Sequence, residues 1–364
     1  MDMTPRVKNM IAGATGPSAT PELTVAAGLA RGLMAFAISK GASQPTLAER
    51  SGIDPKQLQD QDNRIPFANY VALMQAGKEL CNDPALALHY GETNDLREIS
   101  IVGLIAYAAE TLGHAFVQLN RYGRLVIEVD GVGTADRFTL LRENGLWVVD
   151  NRKSSNDFPE LTESTFARMA CATRPFGDTP FVRAVHVTHA EPAYRAEYDR
   201  IFRAPVVFES SRNAIQIDET WPNLKVALQP RYAFGVLSEH AKALLKSLER
   251  SKTTRGRVES LLIPVLHTGD ASVEVIAGKL GLTRYALFRQ LKMEGATFEK
   301  VLDELRHRMA LHYLTGKKVS VNETAYLVGF SEPAAFSRAF KRWTGSSPRL
   351  MRGSKIEIGP IERP

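Results

Sequence analysis

A short pattern of residues occurs twice near the C-terminus of the chain. Ala277 and Ala325 lie 48 residues apart, and so do Gly281 and Gly329. In each copy an apolar helical segment ends at the Gly, a hydroxyl residue follows, and a basic amphipathic segment comes next. This order predicts two helix-turn-helix units, in which the second helix of each unit enters the major groove of DNA.

Each unit makes physical demands that these residues meet. A tight turn needs left-handed backbone, which glycine adopts without steric cost. The small alanines leave room for the two helices to pack. Thr283 and Ser331 are predicted to cap the second helices by accepting a bond from a free backbone N–H. The apolar residues predicted to hold the helices together are Leu280, Leu287, Leu327, Phe336 and Phe340.

The second helix of each unit keeps a polar, mostly basic face. One copy of the Ala-to-Gly spacing would be explained equally well by a helix with a Gly cap, since short motifs give false positives. Two copies in register, each followed by basic residues, favour paired DNA-reading units. The exposed faces are predicted to carry Arg284, Tyr285, Arg289 and Lys292 in the first unit, and Ser337, Arg338, Lys341 and Arg342 in the second.

The segment between the units predicts one long helix, Phe298–Thr315. Its apolar residues recur at intervals of three and four. At 1.5 Å per residue such a helix is roughly 27 Å long. With the flanking turns, the two recognition helices would lie about one DNA turn (~34 Å) apart on one face of the duplex. A single chain would then read two successive major grooves.

Residues 253–352 resemble the DNA-binding domain of the AraC/XylS family of bacterial transcription regulators. The closest agreement covers Val328–Pro333 and Phe336–Gly345, followed by Ser347-Pro348. The resemblance implies that Pro333 opens the second recognition helix. Its base-facing positions correspond to Tyr285, Phe288, Arg289, Ala334 and Arg338. Phe288 replaces a polar residue often found at its position, and either contacts a thymine methyl group or leaves that position unread.

The basic excess of the chain lies in this C-terminal part. Between Arg255 and Arg352 there are 16 Lys and Arg against 9 Asp and Glu, a net charge of +7, whereas the whole chain carries +6. The rest is therefore close to neutral, at −1. Neutralisation of DNA phosphates requires this kind of distribution.

Length and cysteine content give broader bounds. A chain of 364 residues predicts two domains. Cys81 and Cys171 are too few for a disulfide framework, which favours a reducing cytoplasm. The apolar stretch Leu23–Ile38 is too short to span a membrane, and Arg31 interrupts it.

The first 250 residues predict an α+β domain with an antiparallel sheet. Helical periodicity covers Leu23–Lys40, Phe67–Cys81, Ile101–Arg121, Phe158–Thr173, Pro192–Phe202 and Phe234–Arg250. Strand patterns cover Leu125–Val129, Phe138–Leu141, Leu146–Val149, Val182–Val187, Val206–Phe208 and Ala214–Ile217. The pair Asp130-Gly131 predicts a hairpin between the first two strands. Ser251–Gly256 is predicted to be a polar linker.

The segment from Val187 to Phe208 is similar to part of an arabinose-binding-like N-terminal domain carried by a subgroup of AraC-type regulators. The matching residues are Val187, Thr188, His189, Pro192, Tyr194, Tyr198, Phe202, Ala204-Pro205-Val206 and Phe208. The resemblance implies binding of a small effector, dimerisation, or both. It does not make arabinose the ligand, and no effector-binding residues are assigned.

Other patterns have plainer explanations. His186 and His189 are three apart, so on a strand they point to opposite faces and cannot readily share a metal. Gly131 and Gly133 lie in a hairpin pattern rather than a phosphate loop. Leu47–Ile53 imitates half of a helix-turn-helix but lacks a basic helix after it. Arg152, Lys153 and Arg174 are expected to be solvated, with an anionic-effector pocket as the alternative. No catalytic arrangement, metal site or cofactor is predicted.

The chain is thus expected to be a cytoplasmic, nucleoid-associated bacterial transcription regulator rather than an enzyme or a membrane protein. Its expected partners are double-stranded promoter DNA, RNA polymerase, a small-molecule effector and a second copy of itself. The alternatives are an architectural or effector-independent DNA-binding protein, and an enzyme with an appended DNA-binding domain. Activation is the expected mode, with repression, the effector and the promoter left open.

The predicted segments are a flexible N-terminus (1–22), a sensing or dimerisation domain (23–230), a linker helix (231–252), a double helix-turn-helix domain (253–352) and a flexible tail (353–364).

Overall fold

The computed structural model describes residues 22–174, 180–226, 231–268, 271–315 and 319–353. The predicted flexible ends, 1–22 and 353–364, lie outside these ranges except for one residue each. The chain divides into two compact units, which are described separately. One holds the described residues up to Asn94 together with Ile127–Arg174 and Pro180–Ile217, and the other holds Asp95–Val126 and the described residues from Asp218 onward.

The strands all lie in the first unit, within the described residues. They are β1 (Thr24–Ala26), β2 (Arg64–Pro66), β3 (Phe138–Arg142), β4 (Leu146–Asp150), β5 (Val182–His186), β6 (Val206–Val207) and β7 (Ala214–Ile217). The helices of this unit are α1 (Ala27–Ser39), α2 (Gln44–Ser51), α3 (Phe67–Leu80), α4 (Leu86–Thr93), α8 (Pro159–Ala172) and α9 (Arg195–Phe202), where the numbering follows the whole chain.

The second unit is helical in its described part. It contains α5 (Leu96–Ile99), α6 (Ile101–Tyr107), α7 (Leu112–Val126), α10 (Arg231–Ser251), α11 (Thr254–Leu262), α12 (Val273–Lys279), α13 (Arg284–Met293), α14 (Phe298–Thr315), α15 (Val321–Leu327), α16 (Pro333–Thr344) and α17 (Pro348–Gly353). The predicted fold class, an α+β N-terminal region followed by an all-α C-terminal region, is confirmed.

The sheet of the first unit has five strands in the order β3-β4-β7-β5-β6. Its neighbours are antiparallel except for β5 and β6, which run parallel. Val148, Ile215 and Val185 are paired across three adjacent strands, and all three are buried. Such cross-strand apolar neighbours fix the register, because a slip of one residue would turn them to the other face. A separate pair, β1 and β2, is also antiparallel.

The hairpin predicted at Asp130-Gly131 is wrong, and so is the strand predicted for Leu125–Val129. The helix α7 continues to Val126, with Leu125 and Val126 buried. The reversal of the chain occurs instead between β3 and β4, where Asn144 and Gly145 have φ of +50° and +124°. A short run of apolar β-branched residues fits a buried helix end as well as a strand, so its pattern could not decide between them.

Other predicted boundaries also shift. The predicted helix Leu23–Lys40 begins as strand β1, and Ile101–Arg121 is two helices, α6 and α7. The polar linker predicted for Ser251–Gly256 shortens to Lys252 and Thr253 between α10 and α11. The shortening follows from Thr253, whose Oγ1 accepts the Gly256 N–H at 2.9 Å and so starts the next helix.

Arg152 is buried rather than solvated, contrary to expectation. Its Nη2 donates to the carbonyl oxygens of Ser155 and Phe158, both at 2.9 Å, and to Thr162 Oγ1 at 3.1 Å. Burial lowers the pKa of its guanidinium to about 10. Lys153 and Arg174 are exposed, as expected. Arg152 therefore has a structural role, because it holds the backbone carbonyls of Ser155 and Phe158 in place just before α8 begins.

The helices α11 to α17 share one hydrophobic core. Both helix-turn-helix units and the helix α14 contribute to it. Its fully buried members include Val258, Leu262, Ile276, Leu287, Leu291, Val301, Leu305, Leu314, Phe336 and Phe340. The predicted spacer helix is confirmed with both of its ends, as the 18-residue α14.

The two turns of the repeated pattern have the same backbone geometry. Gly281 has φ +67° and Gly329 has φ +79°. In the first turn the Leu282 N–H donates to the Ala277 carbonyl at 2.9 Å, and in the second the Phe330 N–H donates to Ala325 at the same distance. These are the bonds that close a helix with a left-handed residue after its end. The predicted turns, with buried Ala277 and Ala325, are confirmed.

The surroundings of the two turns differ. A Cβ added at Gly281 would meet nothing within 4 Å, whereas one at Gly329 would lie 2.3 Å from the Leu266 carbonyl oxygen. The first turn is therefore open, and the second is packed against the backbone of the same domain.

We expect Gly281→Ala to lower the free energy of unfolding by about 1 kcal/mol, through left-handed strain alone. Gly329→Ala should lower it by about 2–4 kcal/mol, because strain adds to overlap with a backbone atom that cannot rotate away. Differential scanning calorimetry of the full chain measures both. Equal losses from the two variants would contradict the difference in packing.

Candidate nucleic-acid interface

The first recognition helix, α13, starts at its predicted cap. Thr283 precedes it, and its Oγ1 accepts the Ala286 N–H at 3.1 Å. Leu287 and Leu291 are fully buried against the core. The helix thereby has a fixed inner face, which leaves its other side to solvent.

The second recognition helix, α16, begins at Pro333, as expected, but Ser331 does not cap it. Glu332 occupies the cap position and makes no side-chain cap bond. The prediction for Ser331 is wrong because Pro at the first helical position places the start one residue later. Proline has no N–H to cap and already holds the helical φ. Phe336 and Phe340 are fully buried, as predicted.

The ten residues predicted to bind DNA lie on these two helices or at their first turns. In α13, Arg284, Tyr285, Arg289 and Lys292 are exposed, and Phe288 is half-buried. In α16, Ala334, Arg338, Lys341 and Arg342 are exposed, and Ser337 is half-buried. Tyr285 is 77% exposed. Contact of these residues with DNA remains a prediction.

Two of the cations are engaged within the protein. Arg284 pairs with Glu274 at 2.9 Å and lies 5.2 Å from the ring centre of Phe288. Arg342 pairs with Asp303 at 3.0 Å. Both pairs are exposed, and exposed pairs contribute only about 0–1 kcal/mol. A phosphate could therefore replace either carboxylate at little cost.

The remaining cations are available to an anionic partner. Arg289, Lys292, Arg338 and Lys341 form no ion pair with the residues that the structure describes. They belong to two helices that share one core. This arrangement offers two cationic helix faces built on one hydrophobic core.

The turn of the second unit is held by a side chain that the sequence analysis did not predict. Arg306, on α14, donates from Nε to the Val328 carbonyl at 3.1 Å and from Nη2 to the Gly329 carbonyl at 3.0 Å. Its guanidinium also lies 4.8 Å from the ring centre of Phe330. Burial lowers the pKa of the Arg306 guanidinium. Arg306 therefore bonds the second turn directly to α14.

A buried polar cluster lies in the first unit, around Glu163. Its Oε1 accepts from the hydroxyls of Tyr194 at 2.8 Å and Tyr198 at 2.7 Å. The Tyr198 hydroxyl is also 2.9 Å from His189 Nε2. Burial raises the pKa of the Glu163 carboxyl. Two residues of the N-terminal resemblance, Tyr194 and Tyr198, thus meet at one carboxyl group, and a third, His189, contacts the Tyr198 hydroxyl.

The two histidines flagged in the sequence have separate partners. His186 Nδ1 lies 3.1 Å from Ser210 Oγ, and His189 bonds to Tyr198. Among the described residues, no group of three or more His, Cys, Asp or Glu is placed to hold a metal ion. None of the described helices combines the length and apolar character needed to cross a membrane.

Two family models match the chain. The one described as the arabinose-binding domain of AraC transcription regulator, N-terminal, matches residues 41–226, just over half of the chain. A helix-turn-helix domain model matches residues 276–354, which contain α13, α14, α15 and α16.

Similar proteins cover nearly the full length. The ornithine utilization regulator of Pseudomonas aeruginosa is 27% identical over 328 residues, 88% of this chain and 93% of that protein. The HTH-type transcriptional regulator VirS of Mycobacterium tuberculosis is 25% identical over 319 residues, 86% of this chain and 91% of that protein. The crystal structure of the transcriptional regulator CdpR from P. aeruginosa covers 74% of this chain and 86% of that chain, with 22% identity and a TM-score of 0.36.

The relatives are transcription regulators and not enzymes. The N-terminal match, the C-terminal match and the paired helix-turn-helix geometry agree with one another. The chain belongs to the AraC family of DNA-binding transcription regulators.

Proposed function

We propose that one chain binds promoter DNA with both of its helix-turn-helix units, in two successive major grooves on one face of the duplex. The observation that carries this proposal is α14, an unbroken helix of 18 residues. Val301, Leu305 and Leu314 of α14 are fully buried in the core that both units share. A helix of this length spans roughly 27 Å and cannot stretch to suit another spacing.

Within this arrangement the exposed residues divide into two groups. Tyr285, Arg289, Ala334 and Arg338 face the bases, while the other cations fix the register through phosphates. Phe288 is half-buried and packs against the core. That position favours the alternative in which Phe288 leaves its base pair unread.

Control of this binding is assigned to the N-terminal region. The match to an arabinose-binding domain supports a small-molecule effector, which would act by favouring one arrangement of the regulator over another. We propose that the protein works in the cytoplasm, associated with the nucleoid, that it forms homodimers, and that it activates transcription by contacting RNA polymerase. Genome-wide mapping of bound sites tests the proposal, because a regulator gives discrete promoter peaks and an architectural protein does not.

Arg338→Ala should reduce specific binding by about 1–3 kcal/mol and relax discrimination at one base pair, since an arginine pointing into the major groove reads a base edge. The matched control is Lys341→Ala, on the same helix. It should weaken binding to all sequences alike and lower the salt slope by about 1, as loss of one phosphate contact does. Fluorescence anisotropy on a set of operator variants measures both.

The role assigned to Arg338 fails if the folded variant keeps wild-type affinity and wild-type base preference. If Arg338→Ala behaves like Lys341→Ala, then Arg338 is a phosphate contact.

One chain should protect roughly 15–20 base pairs, with half-elements about 10 base pairs apart. Inserting five base pairs between the half-elements turns one of them to the opposite face of the duplex. Because α14 fixes the separation, binding should then weaken to the level that a single unit supplies. Footprinting and anisotropy on the two DNA molecules measure the change.

Unchanged affinity after the half-turn insertion would mean that the units bind independently or that one unit alone is used. The second unit, with its longer match to the family signature, would then be the candidate that stays engaged, or else a surface for polymerase.

A further inference from the structure

The end of the first recognition helix is bonded to the beginning of α11. The Thr254 N–H donates to Glu294 Oε1 at 2.7 Å, and the Arg255 N–H donates to Glu294 Oε2 at 2.9 Å. In addition, Thr254 Oγ1 donates to Gln290 Oε1 at 3.2 Å. Glu294 is the C-terminal cap residue of α13, directly after its last residue, Met293. Both oxygens of one carboxylate therefore serve as a cap supplied by a different helix.

This bond completes the start of α11. The first N–H groups of any helix have no partner inside the helix. In α11 the third of them, from Gly256, is accepted by Thr253 Oγ1 at 2.9 Å, while the first two are accepted by Glu294. A negative charge at a helix N-terminus is further stabilised by the helix dipole. The contact is thus a specific, charge-assisted bond at a place where backbone donors require one.

The contact lies away from the proposed DNA-reading face of α13. Gln290 and Glu294 are four residues apart and so lie on one side of the helix, one turn from each other. Tyr285 and Arg289 form a second pair of this kind, about 140° around the helix from the first at 100° per residue. Leu291 points into the core. DNA and α11 can therefore hold α13 at the same time.

The start of α11 is in turn joined closely to the end of α10. The Thr253 N–H and Thr253 Oγ1 both donate to the Arg250 carbonyl, at 3.0 Å and 2.9 Å. A Cβ at Gly256 would lie 1.9 Å from the Arg250 carbonyl oxygen, so the two helices approach as near as glycine allows. A change in the direction of α10 would be passed to α11 with little loss.

The second unit is held in another way. Its turn is anchored by Arg306 of α14, and its glycine packs on the Leu266 carbonyl. At the first turn, a Cβ on Gly281 would find open space, and no side chain of the described residues donates to the Gly281 carbonyl. The second turn is thus held by α14 and by the segment that follows α11, whereas the first recognition helix is bonded to the start of α11 through Glu294 and Gln290.

We propose that Glu294 is a positioning residue that couples the orientation of the first recognition helix to the junction between α10 and α11. This inference rests on the proposed function, in which both units bind DNA. It makes recognition of the first half-element, and not of the second, dependent on the Glu294 contact.

Electrostatics and positioning predict opposite results for the removal of Glu294. If the carboxylate only repels phosphates, its loss should strengthen DNA binding. If it positions α13, its loss should weaken binding, and only at the first half-element. Glu299, exposed on the first turn of α14, provides the matched control for loss of one negative charge.

The experiment uses the full-length protein and an operator obtained by in vitro selection, with either half-element scrambled in separate DNA molecules. Glu294→Ala should bind the intact operator about three- to thirty-fold more weakly, the range expected from a lost cap. Scrambling the first half-element should then reduce the affinity of this variant only slightly, whereas scrambling the second should reduce it by the same factor as in the wild type. Glu294→Gln, which keeps one acceptor oxygen, should bind with an affinity between those of the wild type and Glu294→Ala. Glu299→Ala should bind at least as well as the wild type.

A second variant tests the link to α10. Two glycines inserted between Lys252 and Thr253 should reproduce the selective loss at the first half-element. Combining the insertion with Glu294→Ala should add little, because both changes break one connection. Additive effects would overturn the coupling to the junction.

The proposal for Glu294 is overturned if scrambling the first half-element weakens Glu294→Ala by as large a factor as it weakens the wild type. It is also overturned if Glu299→Ala has the same effect as Glu294→Ala. Should Glu294→Ala unfold, Glu294→Gln decides on the same criterion. A wild-type protein that ignores one half-element contradicts the proposed function instead, so the two failures are distinguishable.

Discussion

The burial of one face of α14 is the constraint on which the DNA-binding part depends. Val301, Leu305 and Leu314 contribute to a core that also contains Leu287 of the first unit and Phe336 of the second. Neither short unit could bury enough apolar surface by itself, since small domains gain little from burial. The helix therefore supplies stability and a fixed separation at once, and the exposed cations inherit their geometry from it.

The sequence predicted this part well because its signals are local and periodic. The bounds of α14, the left-handed turns at Gly281 and Gly329 and the buried Ala277 and Ala325 all follow from spacing within a few residues. In the N-terminal region two turn signals competed. Asn144-Gly145 makes the observed hairpin, whereas Asp130-Gly131 follows a helix. Composition near each pair could not rank them, because the choice depends on which strands pair across the sheet.

The candidate site was predictable only on its exposed side. An amphipathic helix reveals which residues face solvent, so Arg289, Arg338 and Lys341 could be placed. The residues that hold the helices could not. Glu294 reaches backbone donors 40 and 39 residues away, and Arg306 reaches carbonyls 22 and 23 residues away. A bond between a side chain and a distant backbone group leaves no periodic trace in the sequence.

The unequal surroundings of the two turns bear on how the two copies of the motif diverge over time. A replacement of Gly281 faces only backbone strain, which a stable protein can absorb, and Asn tolerates that conformation better than most residues. A replacement of Gly329 also meets the Leu266 carbonyl, and no choice of side chain avoids it. Purifying selection should therefore act more strongly on the second copy, while the first drifts. Sequence profiles centred on the second turn should retain remote family members that profiles centred on the first would lose.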